Sequence, residues 1–298
     1  MRGRLRSTFG RLLGEASLKL AFLALNAPAV FGAYRRRTDI VYGPDARHRL
    51  DAYLPERPAA RRAPLVVFWH GGRWSSGDKG EYRFVAAALA ELGYATAVPN
   101  YRLYPQVKMP GFMEDAARAA SWAAEHAAEL GADAGRLYFM GHSAGAHIAA
   151  LLALDARYFA SLHRPAPRIE GVIGLSGAYD FLPLREDDVR DIFGPPELYA
   201  ASQPINFVSG RAPPMLLIHG AKDTMVSPHN SRNLAAALAA QGVASTLKMY
   251  PKLMHADTVA ALSLPARRRA GTLGDVAAFV NSPDHVAMPP GYAMHFKR

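Results

Sequence analysis

The sequence predicts an α/β fold in which a mostly parallel central sheet carries helices on both faces. Short continuous apolar runs, such as Pro64–Trp69 and Met215–His219, are typical of strands buried on both faces. Between such runs lie segments with helical spacing of apolar residues, the longest being the alanine-rich stretch from Phe112 to Leu130. Strand–helix alternation of this length favours parallel pairing with helices on either side of the sheet.

The individual elements can be assigned along the chain. Thr38–Gly43 and Arg49–Leu54 are predicted to open the sheet as an antiparallel pair, and Gly131 is expected to end the long helix. The other predicted strands are Tyr94–Val98, Arg136–Met140, Ile169–Leu175 and Ser245–Tyr250. The other predicted helices cover about 80–92, Ala144–Asp155, Pro228–Gln241 and the stretch around 265–280.

The positive charge is concentrated at the N-terminus. Of the formal net charge of +10, residues 1–37 contribute eight basic side chains and one acid, or +7, which leaves +3 for the remaining residues. A nucleic-acid-binding domain usually spreads basic residues over its folded surface, so we expect no nucleic-acid partner. A basic terminal extension fits an anionic membrane surface better, and a solubilising tail is the alternative.

Residues 20–34 of this extension are apolar but short for a transmembrane helix, and Asn26 and Pro28 interrupt them. The basic start makes a secretory signal a competing interpretation, but Glu15 and Lys19 lie late in what would be its charged region. We therefore expect a cytoplasmic protein. Apolar spacing predicts an amphipathic helix that either packs on the domain or lies on lipid; its residues are Leu5, Phe9, Leu12, Leu13, Ala16, Leu20 and Leu23.

A G-x-S-x-G motif, Gly141 to Gly145, stands between a predicted strand and a predicted helix. This is the context of a nucleophile elbow, where the serine occupies a strained turn and the glycines let strand and helix pass closely. The motif therefore predicts Ser143 as a nucleophile, and the amide of Ala144 at the helix start as a donor to developing negative charge.

A second glycine-rich loop, His70-Gly71-Gly72-Arg73-Trp74, follows the predicted strand Pro64–Trp69. Attack by serine creates an oxyanion that needs preorganised donors, and backbone amides in such a loop can supply them. We predict an oxyanion hole made by the amides of Gly71, Gly72, Arg73 and Ala144. His70 itself is expected to hold the loop through hydrogen bonds.

The acid and the base are expected later in the chain, in the order serine, acid, histidine. Asp223 follows strand Met215–His219, and His255 follows strand Ser245–Tyr250. We predict that His255 accepts the serine proton and that Asp223 orients it. Asp180 remains the alternative acid. Other candidates are expected to be structural or poorly placed: His142, His163, His219, His229 and Asp257.

Together these residues resemble the carboxylesterase branch of the α/β-hydrolase superfamily that includes hormone-sensitive-lipase-like esterases, kynurenine formamidases and prenylcysteine methylesterases. The similarity rests on HGGRW at 70–74, GHSAGAH at 141–147, Tyr101-Arg-Leu, LSGAYD at 175–180 and HGAKD at 219–223, and covers roughly residues 38–280. Arg73 departs from the family, in which this position is small or aromatic.

The resemblance implies an α/β-hydrolase catalytic domain at residues 38–298, after the basic, apolar helical extension at 1–37. The proline-rich and acidic residues 176–212 are a candidate cap over the site. The implied activity is hydrolysis of a small-molecule carboxylic ester through an acyl-enzyme, without metal or cofactor. An aryl-formamidase activity and a non-catalytic binding protein of the same fold are the alternatives. The chain has no cysteine, which excludes disulfides and thiolate chemistry.

Overall fold

The computed structural model describes residues 19–56 and 62–282. Within these ranges one eight-stranded sheet lies at the centre. Its strands are β1 (Tyr34–Val41), β2 (Arg49–Pro55), β3 (Ala63–Trp69), β4 (Ala95–Pro99), β5 (Ala132–His142), β6 (Gly171–Leu175), β7 (Met215–Gly220) and β8 (Ser245–Tyr250). Their order across the sheet is β1-β2-β4-β3-β5-β6-β7-β8.

Strand β2 runs antiparallel to both β1 and β4, and every other neighbouring pair is parallel. The predicted antiparallel opening and the mostly parallel sheet are therefore confirmed. The described helices are α1 (residues 19–26), α2 (Arg83–Glu91), α3 (Gly111–Glu125), α4 (Ala144–Leu154), α5 (Arg157–Ala160), α6 (Asp187–Phe193), α7 (His229–Ala240), α8 (Asp257–Ala260) and α9 (Thr272–Val280). Short 3-10 helices cover Pro28–Phe31, Lys79–Tyr82, Pro196–Ser202, Pro204–Phe207 and Leu264–Arg269.

The core lies on both faces of the sheet because successive side chains of a strand point to opposite sides. In β3, Leu65 and Val67 join the apolar cluster that includes buried residues of α3, α4 and α7. Val66 and Phe68 join the second cluster, with α2 and α9. A strand buried on both sides is continuously apolar, which explains the sequence pattern.

Two predicted helices end differently in the structure. Helix α3 ends at Glu125, and the chain reaches Gly131, with φ +66°, through turns. The apolar spacing continued past the helix because Ala127 and Leu130 stay buried in those turns. The predicted closing helix is divided into the 3-10 helix Leu264–Arg269 and α9.

The N-terminal helix packs on the domain through one side only. Phe22 and Leu25 of α1 contact the second apolar cluster, and the side-chain amide of Asn26 donates to the carbonyl of Glu81 at 2.8 Å. Leu20 and Leu23, which were predicted to share an apolar face, are both exposed, so this face does not pack on the domain. The part of the predicted helix before residue 19 lies outside the described residues. No helix in residues 19–56 and 62–282 has the length and apolar character to cross a membrane.

Three histidines are buried beside the carboxyl edge of the sheet. Burial lowers the pKa of His70 and of His147 to about 4. Burial, together with the neighbouring His255, lowers the pKa of His142 to about 3. His147 has partners that suit only its neutral form, because Trp74 Nε1 donates to its Nδ1 at 3.3 Å while its Nε2 donates to the carbonyl of Ser202 at 2.8 Å.

We expect the protein to lose stability as the pH falls from about 6.5 towards 4. In that window the unfolded chain takes up protons on these histidines and the folded chain does not, so the free energy of unfolding rises with pH. At about pH 5 each of these histidines should lower the free energy of unfolding by roughly 1–2 kcal/mol relative to neutral pH. Urea denaturation between about pH 7 and pH 5 measures this slope.

The variant His147→Gln should flatten the slope, whereas Ser161→Ala, which changes an exposed residue and removes no titratable group, should leave it unchanged. A free energy of unfolding that does not vary across this window would contradict the prediction.

Candidate active site

Ser143 lies in a sharp turn between β5, which ends at His142, and α4, which begins at Ala144. Its backbone has φ 56° and ψ −119°, a conformation that is costly for any residue other than glycine. The amide of Ser143 donates to the carbonyl of Leu175 in β6 at 2.9 Å, which ties the turn to the sheet. This is the strand–turn–helix context that the sequence predicted.

The two flanking glycines are required by the close approach of backbone. A Cβ atom at Gly145 would lie 2.0 Å from the carbonyl oxygen of Trp69 at the end of β3. A Cβ atom at Gly141 would lie 2.2 Å from the carbonyl of Gly145. Neither position leaves room for a side chain, so only glycine lets β3, β5 and α4 converge at this point.

The structure brings together the three side chains that the sequence proposed as a triad. His255 Nε2 lies 2.9 Å from Ser143 Oγ, and His255 Nδ1 lies 2.8 Å from Asp223 Oδ2. A carboxylate only accepts hydrogen bonds, so Nδ1 carries the proton and Nε2 is free to accept one from the serine hydroxyl. All three residues are buried. Asp223 and His255 lie on the loops after β7 and β8, at the carboxyl edge of the sheet.

Asp223 is held by more donors than His255 alone. Its Oδ1 accepts the amides of Met225 and Val226, each at 2.9 Å, and His219 Nε2 lies 3.1 Å from its Oδ2. Burial raises the pKa of Asp223, but the hydrogen bonds from His219, His255 and the Val226 amide outweigh it and hold the pKa well below its usual range. The carboxyl group is therefore an anion throughout the physiological range.

His219 is fully buried behind Asp223. Its Nε2 faces the Val226 carbonyl at 3.0 Å and the carboxylate, which are both acceptors, so Nε2 is the protonated nitrogen. Its Nδ1 then accepts from the hydroxyl of Ser231 at 2.7 Å. The sequence predicted a supporting role for this residue, but it did not indicate that Asp223 is the group supported.

The other candidates lie elsewhere. Asp180 accepts a hydrogen bond from Asn233 at 2.7 Å, and Asp257 accepts the amide of Met254 and pairs with Arg269. Nε2 of His142 lies 3.2 Å from the backbone carbonyl of His255, so this side chain contacts the backbone of the base. His163 and His229 are exposed. The described ranges contain no grouping of three or more side chains suited to a metal ion.

The loop after β3 supplies fewer free amides than the sequence suggested. The amide of Gly71 donates to the hydroxyl of Tyr82 at 3.3 Å, so this predicted donor is already engaged within the protein. In the part of the chain that is described, the amides of Gly72 and Arg73 have no protein acceptor. Ala144 is the first residue of α4, where amides lack an intrahelical acceptor. The remaining predicted donors are therefore Gly72, Arg73 and Ala144.

The side chains of the same loop contact the segment between β6 and β7. The guanidinium of Arg73 lies 2.8 Å from Glu186 and 3.0 Å from Asp188. The ring of Trp74 lies 4.8 Å from that of Phe193, between centroids. These contacts join residues far apart in sequence, and no local pattern predicts them.

Two relatives with known names match much of the chain. Isoprenylcysteine alpha-carbonyl methylesterase from Arabidopsis thaliana is 30% identical over 270 residues, which is 84% of this chain and 62% of the relative. Esterase LipQ from Mycobacterium tuberculosis is 31% identical over 262 residues, 80% of this chain and 62% of the relative. The chain thus spans less than two thirds of the length of these relatives.

Solved structures share the fold. An inhibited esterase B from Lactobacillus Rhamnosis superposes with a TM-score of 0.77 at 22% identity, covering 94% of this chain and 95% of the other. The hyperthermophilic esterase from the archaeon Pyrobaculum calidifontis gives a TM-score of 0.72 at 25% identity, with 90% and 92% covered. These neighbours confirm the α/β-hydrolase fold.

The BD-FAE family model matches residues 50–238, a range that runs from β2 to α7 and includes Ser143 and Asp223. The resemblance to esterases predicted from the motifs is confirmed, and the chain belongs to the BD-FAE family.

Proposed function

We propose that the protein is a serine hydrolase that cleaves carboxylic esters through an acyl-enzyme intermediate. The observation that carries the proposal is the hydrogen-bonded series Ser143 Oγ, His255 and Asp223, with 2.9 Å and 2.8 Å between successive partners. The names of the relatives and of the structural neighbours support ester substrates.

In the first half of the reaction Ser143 Oγ attacks the ester carbonyl carbon while His255 Nε2 takes its proton. Asp223 keeps the ring in the required tautomer and stabilises the imidazolium. His255 then gives the proton to the leaving alcohol, and the acyl group remains on Ser143. A water molecule, deprotonated by the same nitrogen, releases the acid and restores the serine.

Negative charge develops on the carbonyl oxygen in both halves of the reaction. We assign its stabilisation to the amides of Gly72, Arg73 and Ala144, which are donors in place before the charge forms. The amide of Ala144 also belongs to the N-terminus of α4, where the aligned peptide dipoles favour an anion. These donors are backbone groups, so the proposal does not require the side chain of Arg73 to contact the substrate.

The segment 176–212 is proposed to cover the site within a catalytic domain at residues 38–298. Arg73 pairs with two of its acids, so the guanidinium charge is largely neutralised by Glu186 and Asp188. After Arg73, the ring of Trp74 packs against those of Phe181 and Phe193 in the same segment.

The variant Ser143→Ala should lower kcat on a short p-nitrophenyl ester by at least about 10⁴-fold, because the attacking group is lost. Ser161→Ala, at an exposed position outside the segment 176–212, should leave kcat unchanged. A fluorophosphonate probe should label the parent chain and fail to label Ser143→Ala.

Turnover that persists in Ser143→Ala would refute the proposal. A parent chain that neither reacts with the probe nor turns over esters would favour a binding protein. Faster hydrolysis of an aryl formamide than of any ester would assign the same site to amides.

The variant Arg73→Gln should lower kcat/KM by no more than about fivefold, because an exposed ion pair contributes up to about 1 kcal/mol and the backbone donor is retained. The double variant Glu186→Gln/Asp188→Asn should give the same small loss. Steady-state kinetics on one ester compares the two. A loss near 10²-fold for Arg73→Gln alone would mean that the guanidinium itself stabilises the oxyanion.

His219 is proposed as a positioning residue that acts through Asp223. His219→Leu removes a donor from the carboxylate and should lower kcat by about tenfold or more while leaving KM unchanged, because misplacement of the acid affects the chemical step. His219→Gln, which keeps a terminal N–H, should recover part of that loss. Equal kcat values for the two variants would indicate that His219 only fills space.

A further inference from the structure

The segment that precedes β1 presents an apolar surface to solvent. Phe31 is 89% exposed, and Leu20 and Leu23 are each 66% exposed. Val30 is also exposed, as are the intervening residues Ala21, Ala24 and Ala27. A helix on the surface of a domain normally turns polar side chains outward, whereas here apolar side chains lie on the outer side as well as on the side that packs on the domain.

The surface continues onto a second element. The hydroxyl of Ser263 donates to the carbonyl of Leu25 at 2.8 Å, which joins the end of α1 to the start of the 3-10 helix Leu264–Arg269. Leu264, the next residue, is exposed. We define the apolar patch as Leu20, Leu23, Val30, Phe31 and Leu264. Large apolar side chains grouped in this way mark a contact surface.

Exposed basic side chains flank the apolar patch. Lys19 precedes it and Arg35 and Arg37 follow it, all exposed, and Arg268 is exposed on the same 3-10 helix as Leu264. In the sequence, residues 1–37 contain eight basic side chains and a single acid. Apolar side chains beside basic ones match the two parts of an anionic bilayer surface, its acyl boundary and its headgroups.

A second copy of the chain fits this surface poorly. In a two-fold symmetric contact the same patch faces itself, so the basic side chains of both copies would be brought together. Like charges across an interface are repulsive. An anionic partner avoids this repulsion.

We propose that the apolar patch and its basic flanks dock the protein on anionic lipid membranes. In this arrangement Phe31, Leu20 and Leu23 enter the boundary between headgroups and acyl chains, and the lysine and arginines contact lipid phosphates. The contact is peripheral and reversible, and it brings the hydrolase domain to the membrane surface through the opening segment of the chain.

The test is co-sedimentation of the full chain with two kinds of vesicle, pure phosphatidylcholine and phosphatidylcholine containing phosphatidylserine. We expect partition onto the anionic vesicles to be at least about tenfold stronger. Raising the salt concentration from about 0.1 M to about 1 M should weaken it, because the screening length falls from about 10 Å to about 3 Å.

The variant Leu23→Glu/Phe31→Glu should reduce partition onto anionic vesicles by about tenfold or more, because apolar insertion is lost. The matched control Val41→Glu/Ala239→Glu adds the same charge at other exposed apolar positions, outside the segment 176–212, and should bind within about twofold of the parent. Both variants should keep the parent's far-UV circular dichroism and its rate on a soluble ester.

Three results would overturn the proposal. The first is equal binding of the two double variants to anionic vesicles, and the second is no binding by the parent. The third is a parent dimer in light scattering that Leu23→Glu/Phe31→Glu makes monomeric, without vesicle binding by either form, which would assign the patch to a second copy.

Discussion

The candidate site depends on the close passage of β3, β5 and α4 at two glycines. Gly145 lies against the Trp69 carbonyl and Gly141 against Gly145, each with no space for a Cβ atom. This convergence forces the chain to reverse over very few residues, and Ser143 takes the strained conformation at the tip. The same convergence brings the loop that follows β3 next to the first turn of α4. Ser143 and the amides predicted as donors are thus brought together by one packing constraint.

Burial and hydrogen bonding have opposite effects on the pKa of Asp223. Removing Asp223 from water favours its neutral form, but four donors favour the anion, and the donors prevail. Two of them are backbone amides in the turn after β7, and two are histidines. A carboxylate fixed by this many donors has little freedom to rotate, so the ring of His255 receives one orientation. The cost of burying the charge is offset by groups that also define its geometry.

Much of the fold and of the site could be predicted from the sequence because the signals are local. The apolar runs located the strands, and the glycine-flanked serine between a strand and a helix located Ser143 at a nucleophile elbow. Asp223 and His255 followed from chain order, since loops after parallel strands meet at one edge of the sheet. Helix ends were predicted less well: the turns after α3 keep Ala127 and Leu130 buried, so apolar spacing alone did not reveal that the helix had ended at Glu125.

What the sequence did not indicate depends on contacts between distant segments. The amide of Gly71 resembles those of its neighbours in the motif, and only the hydroxyl of Tyr82, eleven residues later, makes it unavailable. In the sequence Arg73 is an isolated cation near the substrate, whereas in the structure Glu186, 113 residues away, lies beside it. Such pairings are set by the tertiary fold, and no local pattern encodes them.

Arg73 and Trp74 both adopt positive φ angles, 54° and 58°, which cost free energy and persist only where surrounding contacts impose them. Their side chains supply those contacts in two directions. The guanidinium is held by two acids at the exposed rim, whereas the indole is held among buried rings and by His147.

The backbone amides of Gly72 and Arg73 lie immediately before these two anchored side chains. The direction in which the amides point is therefore set before any substrate arrives. Donors that are preorganised in this way lower the reorganisation cost of catalysis. The side chains of Arg73 and Trp74 contact the segment between β6 and β7, and Trp74 also contacts His147 of α4. The conformation of the loop after β3 is therefore coupled to that segment through Arg73 and Trp74, which places the acids and aromatic residues of the segment beside the candidate site.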